Sequence, residues 1–252
     1  MGYNINDWKI IGKRLKITIT YIYHSCFLIE TDKVAMIFDY YKDNGYIEKI
    51  IPTLNKPIYI FSSHFHGDHF NAEIFKWKDL VPDIKYILSK DILEEGKAKQ
   101  SDADYMEKGY VGQDGNITVK AYGSTDAGIS FYIEAEGIKI FHAGDLNNWH
   151  WVDEAEAEES AGYEAAYHAE LAEVAEDINQ LDIVMFPVDK RLGTDYYKGA
   201  REFIEKIETD LFIPMHFGED YASANAFSDI AVKHCKQFFE INEKYEKIEW
   251  QK

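Results

Sequence analysis

Apolar and polar positions alternate over residues 15–23, and mostly apolar strand-like runs follow at 26–30 and 34–39, with Thr31-Asp32-Lys33 as a turn between them. Successive side chains of a strand point to opposite faces, so this period-two pattern predicts an antiparallel meander at the start of the chain. A short helical segment, a strand at 58–62, a helix near 71–76 and a strand at 84–88 follow. The turn Asp114-Gly115 precedes a strand at 117–122, and the runs 129–134 and 138–142 form a hairpin through Glu136-Gly137. From residue 183 the signals become strand, helix, strand, helix, at 183–187, 198–208, 211–215 and about 227–244.

Before that alternation, Tyr163, Tyr167, Leu171, Val174 and Ile178 recur every three or four residues, while Glu164, Glu170, Glu173 and Glu176 fall elsewhere on the wheel. One amphipathic helix satisfies both sets. It is either a solvated helix docked on the body or a lid or oligomer contact. Meanders with flanking helices predict an α/β (α+β) fold of packed sheets covered by helices. A single domain over 1–252 is expected, with a helical insertion near 152–180.

Charge narrows the function. With 45 acidic against 27 basic residues, the formal net charge is −18. Nucleic-acid binding depends on Lys and Arg displacing counterions, so nucleic acid is not an expected partner. No apolar run approaches the length of a membrane span, and residues 1–8 lack the basic start and apolar stretch of a secretory signal. The expectation is a cytoplasmic protein that acts on a small-molecule substrate, with no membrane partner and with homo-oligomerisation left open. The two cysteines, Cys26 and Cys235, are far apart and read as reduced, buried thiols.

The chemistry concentrates in Ser62-Ser63-His64-Phe65-His66-Gly67-Asp68-His69, immediately after the 58–62 strand. Histidines two apart in an extended segment project to one side, so His64 and His66 reach a common ion. Asp68 and His69 follow at a turn that Gly67 permits, where they face a second ion. Two more segments end predicted strands with ligand-type residues: Phe141-His142-Ala143-Gly144-Asp145 and Met215-His216-Phe217-Gly218. Ligands delivered from strand ends are held rigidly.

With His64, His66, Asp68 and His69 as signature, Asp145 in Gly-Asp as later bridging carboxylate and His216 as last ligand, the chain resembles the metallo-β-lactamase superfamily. Residues 23–30 and 37–39 look like the opening strands of its ascorbate-6-phosphate-lactonase-like and broad-substrate branches. The resemblance implies a four-layer αββα sandwich, a divalent cofactor and a metal-dependent hydrolase that converts bound water to hydroxide. Zinc is the first choice, with manganese or iron as alternatives, in one or two copies. The family's third histidine is missing: Ser124 stands in its place in Gly123-Ser124-Thr125-Asp126. Asp126 and His24 are rival replacements.

On this reading Asp68 orients water and takes its proton, and His150 in Asn147-Asn148-Trp149-His150-Trp151 is the candidate acid for the leaving group. Trp149 forms an aromatic wall, Lys190 and Arg191 grip an anionic group, His142 donates to a ligand or a backbone carbonyl, and Asp39 steadies a signature histidine. The substrate is then a small anionic ester, lactone or phosphoester. Two other readings stand beside it: a mononuclear iron or manganese redox or sensor protein, and a non-catalytic metal-binding interaction protein.

Overall fold

The structure is a computed structural model that describes residues 15–252; the first fourteen residues of the expected 1–252 domain lie outside the described residues. The chain opens with strands β1 (Lys16–Tyr23), β2 (Cys26–Glu30), β3 (Ala35–Phe38), β4 (Ile58–Ser62), β5 (Lys85–Ser89) and β6 (Asp104–Met106). It then lays down β7 (Val111–Gln113), β8 (Ile117–Tyr122), β9 (Ser130–Ala135), β10 (Ile138–His142), β11 (Gln180–Pro187), β12 (Glu208–Met215) and β13 (Cys235–Phe238). A last strand, β14 (Lys247–Gln251), returns to the first group, giving two seven-stranded sheets ordered β14-β1-β2-β3-β4-β5-β6 and β13-β12-β11-β10-β9-β8-β7. Each sheet is antiparallel at its meander and parallel beyond it, from β3 to β6 and from β10 to β13.

Alternation along the strands explains why both faces of the first sheet are covered. Ile17, Ile19, Tyr21, Phe27, Ile29, Met36, Phe38 and Phe61 point into the space between the sheets. Their neighbours Ile22, Cys26, Leu28, Ile37, Ile58 and Ile60 pack outward against Ile47, Ile51, Ile74, Trp77 and Ile92 of the short helical segments. A strand buried on both faces reads as a nearly continuous apolar run, as β3 and β4 do. Both cysteines are buried and free.

The helix Ala157–Asp177 connects β10 to β11 and buries Tyr167, Leu171 and Val174 at the expected spacing. Its first ten residues, 157–166, leave no side chain fully buried. The expected helix at about 227–244 does not form. A four-residue helix, Ser228–Ala231, gives way to β13 and then to β14. Here the edge of the second sheet decides: Gln237 and Phe238 pair with Leu211 and Phe212 of β12, and tertiary pairing overrides local helix propensity.

Candidate metal centre

The parallel arrangement brings strand ends to one edge. Asp39 follows β3, Ser63 and His64 follow β4, Gly144 and Asp145 follow β10, Asp189 follows β11 and His216 follows β12. The loop after β8 supplies Asp126, and the β1–β2 turn supplies His24. Two glycines make the loops close enough to meet. A Cβ on Gly128 would lie 2.0 Å from the Ser63 carbonyl oxygen and 2.5 Å from the His64 Cβ; one on Gly144 would lie 2.7 Å from the Ser63 Cβ. Both glycines also have positive φ, at 65° and 54°, which a side chain would strain. Gly67 is not among the positive-φ residues, contrary to expectation. The His66 carbonyl makes that turn by accepting from the amides of His69 and Phe70 at 3.0 and 2.9 Å.

Eight ligand-type side chains converge as two groups of four. His24, Asp68, His69 and His216 form one, and His64, His66, Asp126 and Asp145 the other; within each group the ligand atoms lie within 4.8 Å of one another. Asp145 joins the groups, with Oδ1 3.1 Å from His69 Nε2 and 3.3 Å from His216 Nε2, and Oδ2 3.5 Å from His64 Nε2. The two rivals for the missing histidine lie in different groups. Asp126, 3.5 Å from His66 Nδ1, stands in the group that Ser124 leaves short, and His24 stands in the other.

The outer ring nitrogens set the tautomers. His69 Nδ1 lies 2.7 Å from Asp39 Oδ2, and His216 Nδ1 lies 2.9 Å from Asp189 Oδ2. Ser63 donates its hydroxyl to Asp39 at 2.7 Å and so accepts from His64 Nδ1 at 3.0 Å. In all three rings Nδ1 carries a proton and Nε2 faces the centre, the nitrogen that a metal would take. His24 is reversed. Its Nδ1 accepts from the Gly218 amide at 3.3 Å, which leaves the proton on Nε2, 3.4 Å from Asp68 Oδ2. His24 therefore presents a donor to Asp68.

Charge follows this wiring. Burial drives the His64 pKa down to about 2 with His69 adding repulsion, and burial lowers those of His24 and His216. Burial opposes charge on His69 too, but Asp145 and Asp39 outweigh it and lift that ring to about 9. Burial likewise disfavours the Asp39 carboxylate, yet His142 and His69 bring it to about 2. The hydrogen bond from His24 holds Asp68 well below the usual carboxylate range, whereas burial raises Asp145. Left alone, His64 Nε2, His69 Nε2 and Asp145 Oδ1 are buried without a hydrogen-bond partner. Each such group costs about 1–3 kcal/mol, and divalent cations at the convergence point would satisfy them, displacing the second proton of His69. The residues present therefore fit a metal.

Two cavities flank Asp68, Arg191 and His216. One, of ≈ 360 Å³, carries Asp126, Asp145, Trp149, Trp151 and Tyr163 on its walls; the other, of ≈ 460 Å³, carries Tyr23, His24, Tyr41 and Lys190. Arg191 lines both, pinned by Asp189, whose oxygens take its Nε at 3.0 and 2.9 Å and its Nη2 at 2.5 Å. Lys190 lies over the Tyr196 ring, 4.5 Å from its centroid. His142, fully buried, has Nε2 2.9 Å from the Ser25 carbonyl and stacks on Phe38. His150 is a correction. Its Nδ1 accepts from the Val152 amide, so its Nε2 donates to the Asp195 carbonyl at 3.2 Å, and its ring lines neither cavity. It braces the loop and is not placed to protonate a leaving group. The role of Asp189 escaped the sequence reading; its position at a strand end beside Arg191 was the available signal.

A family model described as a beta-lactamase superfamily domain matches residues 18–162. A relative from Salinibacter ruber, named a UPF0173 metal-dependent hydrolase, is 24% identical over 213 residues, which cover 79% of this chain and 84% of the relative. Among solved structures, Igni18, a metallo hydrolase from Ignicoccus hospitalis, matches with a TM-score of 0.67 at 15% identity, covering 93% of this chain and 98% of that one. CmlA, a diiron beta-hydroxylase from Streptomyces venezuelae, matches with a TM-score of 0.57 at 13% identity, over 93% of this chain and 54% of its own. These structural likenesses establish a shared fold.

Proposed function

Because the chain belongs to the beta-lactamase superfamily and its inward-facing imidazoles and carboxylates fit metal, we propose that it is a metal-dependent hydrolase of a small anionic ester, lactone or phosphoester. The observation that carries the reading is the set of buried, partnerless ring nitrogens aimed at Asp145. Zinc suits the imidazole and carboxylate donors; manganese and iron share that preference. Divalent ions would be held by His64, His66, Asp126 and Asp145 and by Asp68, His69 and His216, and would supply a water pKa lowered from about 15.7 to about 7 and polarisation of a carbonyl or phosphoryl oxygen.

The rest falls to the chain. Asp68 borders both cavities, is half-exposed and stays ionised, so it orients the attacking water and accepts its proton. The Nε2–H of His24 keeps that carboxylate aimed. Arg191, locked on Asp189, presents a fixed cation to the substrate's anionic group. Two divalent ions and Arg191 would bring five positive charges that Asp39, Asp68, Asp126, Asp145 and Asp189 match, so the cleft would be near neutral inside a strongly acidic protein. A near-neutral cleft with a fixed cation at Arg191 supports an anionic substrate. Nucleic acid does not fit a molecule of net charge −18, and among the described residues no helix is long and apolar enough to cross a membrane, which is compatible with the cytoplasmic placement proposed here.

Metal analysis paired with hydrolysis assays on lactones, phosphodiesters and thioesters tests the proposal. Turnover that needs the metal and collapses in Asp68→Asn supports it. One tightly held redox-active metal with no turnover would instead indicate the redox or sensor reading, and a protein that binds no metal would leave only partner recognition.

A further inference from the structure

The backbone of Trp151 lies in the left-handed region at φ 42°, a conformation that a bulky side chain adopts only under constraint. The constraint is visible. The Trp151 carbonyl accepts from the amides of Glu154 and Ala155 at 2.9 and 2.7 Å, and His150 ties the preceding position to Val152 and to the Asp195 carbonyl. What this holds in place is an indole on the wall of the ≈ 360 Å³ cavity, nearly parallel to Trp149, with 15° between the planes and 6.2 Å between centroids. Trp149 is itself buried and fixed by donating Nε1 to the Asp145 carbonyl at 2.8 Å. Tyr163, from the first two turns of the helix Ala157–Asp177, lines the same cavity and is 36% exposed. The floor is the metal-ligand set and the rim carries Arg191, so this wall is the cavity's aromatic face.

Taking the hydrolase reading as its basis, we infer that Trp151 is a specificity-determining residue, and that the substrate is an anion bearing an aryl ring on or next to the reacting group. The ring stacks on the Trp151–Trp149 wall beneath Tyr163 while the anionic group meets the metal centre and Arg191. Aromatic stacking adds to simple burial, and a strained residue persists where the surrounding structure enforces it for a task. His150 then has a positioning role, acting through Trp151.

The test is calorimetric titration of the zinc-loaded protein with phenylphosphonate, cyclohexylphosphonate and methylphosphonate, with p-nitrophenyl phosphate turnover measured alongside. Phenylphosphonate should bind about 10-fold more tightly than either of the others. The advantage should vanish in Trp151→Gly, persist largely in Trp151→Phe, and shrink in His150→Ala, while methylphosphonate affinity stays within about two-fold in all three. Equal affinity for the phenyl and cyclohexyl anions, or an aryl preference that survives Trp151→Gly, would overturn the inference. An aryl preference without turnover on any substrate would remove the hydrolase reading and leave the aryl site; turnover without aryl preference would do the reverse.

Discussion

The two groups of four ligand-type side chains share Asp145 as a neighbour but are built differently. His69 and His216 are buried, and each has its outer nitrogen fixed by a carboxylate that is itself buried, Asp39 or Asp189. In the other group only His64 has such support, through Ser63 to Asp39, while the side chains of His66 and Asp126 are 38% and 49% exposed on loops. A ligand locked by a second partner gives up little entropy on binding metal and is more basic; a loop carboxylate must be ordered first. The lesson is that replacing an imidazole by a loop aspartate keeps the number of donors and loosens one half of the centre.

Changes that reach both halves should have the largest effect. Asp145→Ala removes the shared carboxylate, and metal analysis should show loss from both positions with turnover undetectable. Next, Asp68→Asn keeps the shape and removes the base, so turnover should fall by about 10²–10⁴-fold even at saturating metal. Asp189→Ala should weaken the more tightly held ion by about 10–100-fold, read by competition with a chelator, because His216 loses its orienting partner. Asp126→Ala, in contrast, should lower the content from about two equivalents to about one and leave the tighter site intact. If Asp126→Ala and Asp189→Ala weaken the same ion equally, the asymmetry drawn here is wrong.

The smallest effect is that of pH on the metal-free protein. His64, His24 and His216 have lowered folded pKa values, so below about 6.5 the unfolded chain binds more protons and stability falls as pH falls. His69 works oppositely: raised to about 9, its contribution is complete below about 6.5 and is lost as pH climbs through 9. Thermal midpoints of the chelator-treated protein should peak near pH 6.5. In the metal-loaded protein the alkaline decline should disappear, because His69 is then held without its second proton.

Where periodicity was strong the fold was legible: the opening meander, the hairpin at Glu136-Gly137 and the helix through Tyr167, Leu171 and Val174 all form. The failures share one cause. Residues 235–238 and the short strands Asp104–Met106 and Val111–Gln113 sit at sheet edges, where a neighbouring strand completes an element too short to carry its own signal. At the centre, His64, His66, Asp68 and His69 announce themselves because four donors in six residues need a common cause. His150 misleads for the opposite reason: an imidazole beside tryptophans is chemically apt, but its two nitrogens are taken by backbone groups that only folding brings to it.

The sequence by itself determined which donors exist, that they end strands, and that one expected histidine is a serine, because residue type and period-two spacing are local properties of the chain. Only the tertiary structure decided that Asp126 stands near the gap, that His24 faces Asp68 as a donor, and that Asp39 and Asp189 orient three imidazoles. Those facts depend on contacts between residues far apart in the chain, and which ring nitrogen carries a proton follows from the partner the fold sets opposite it.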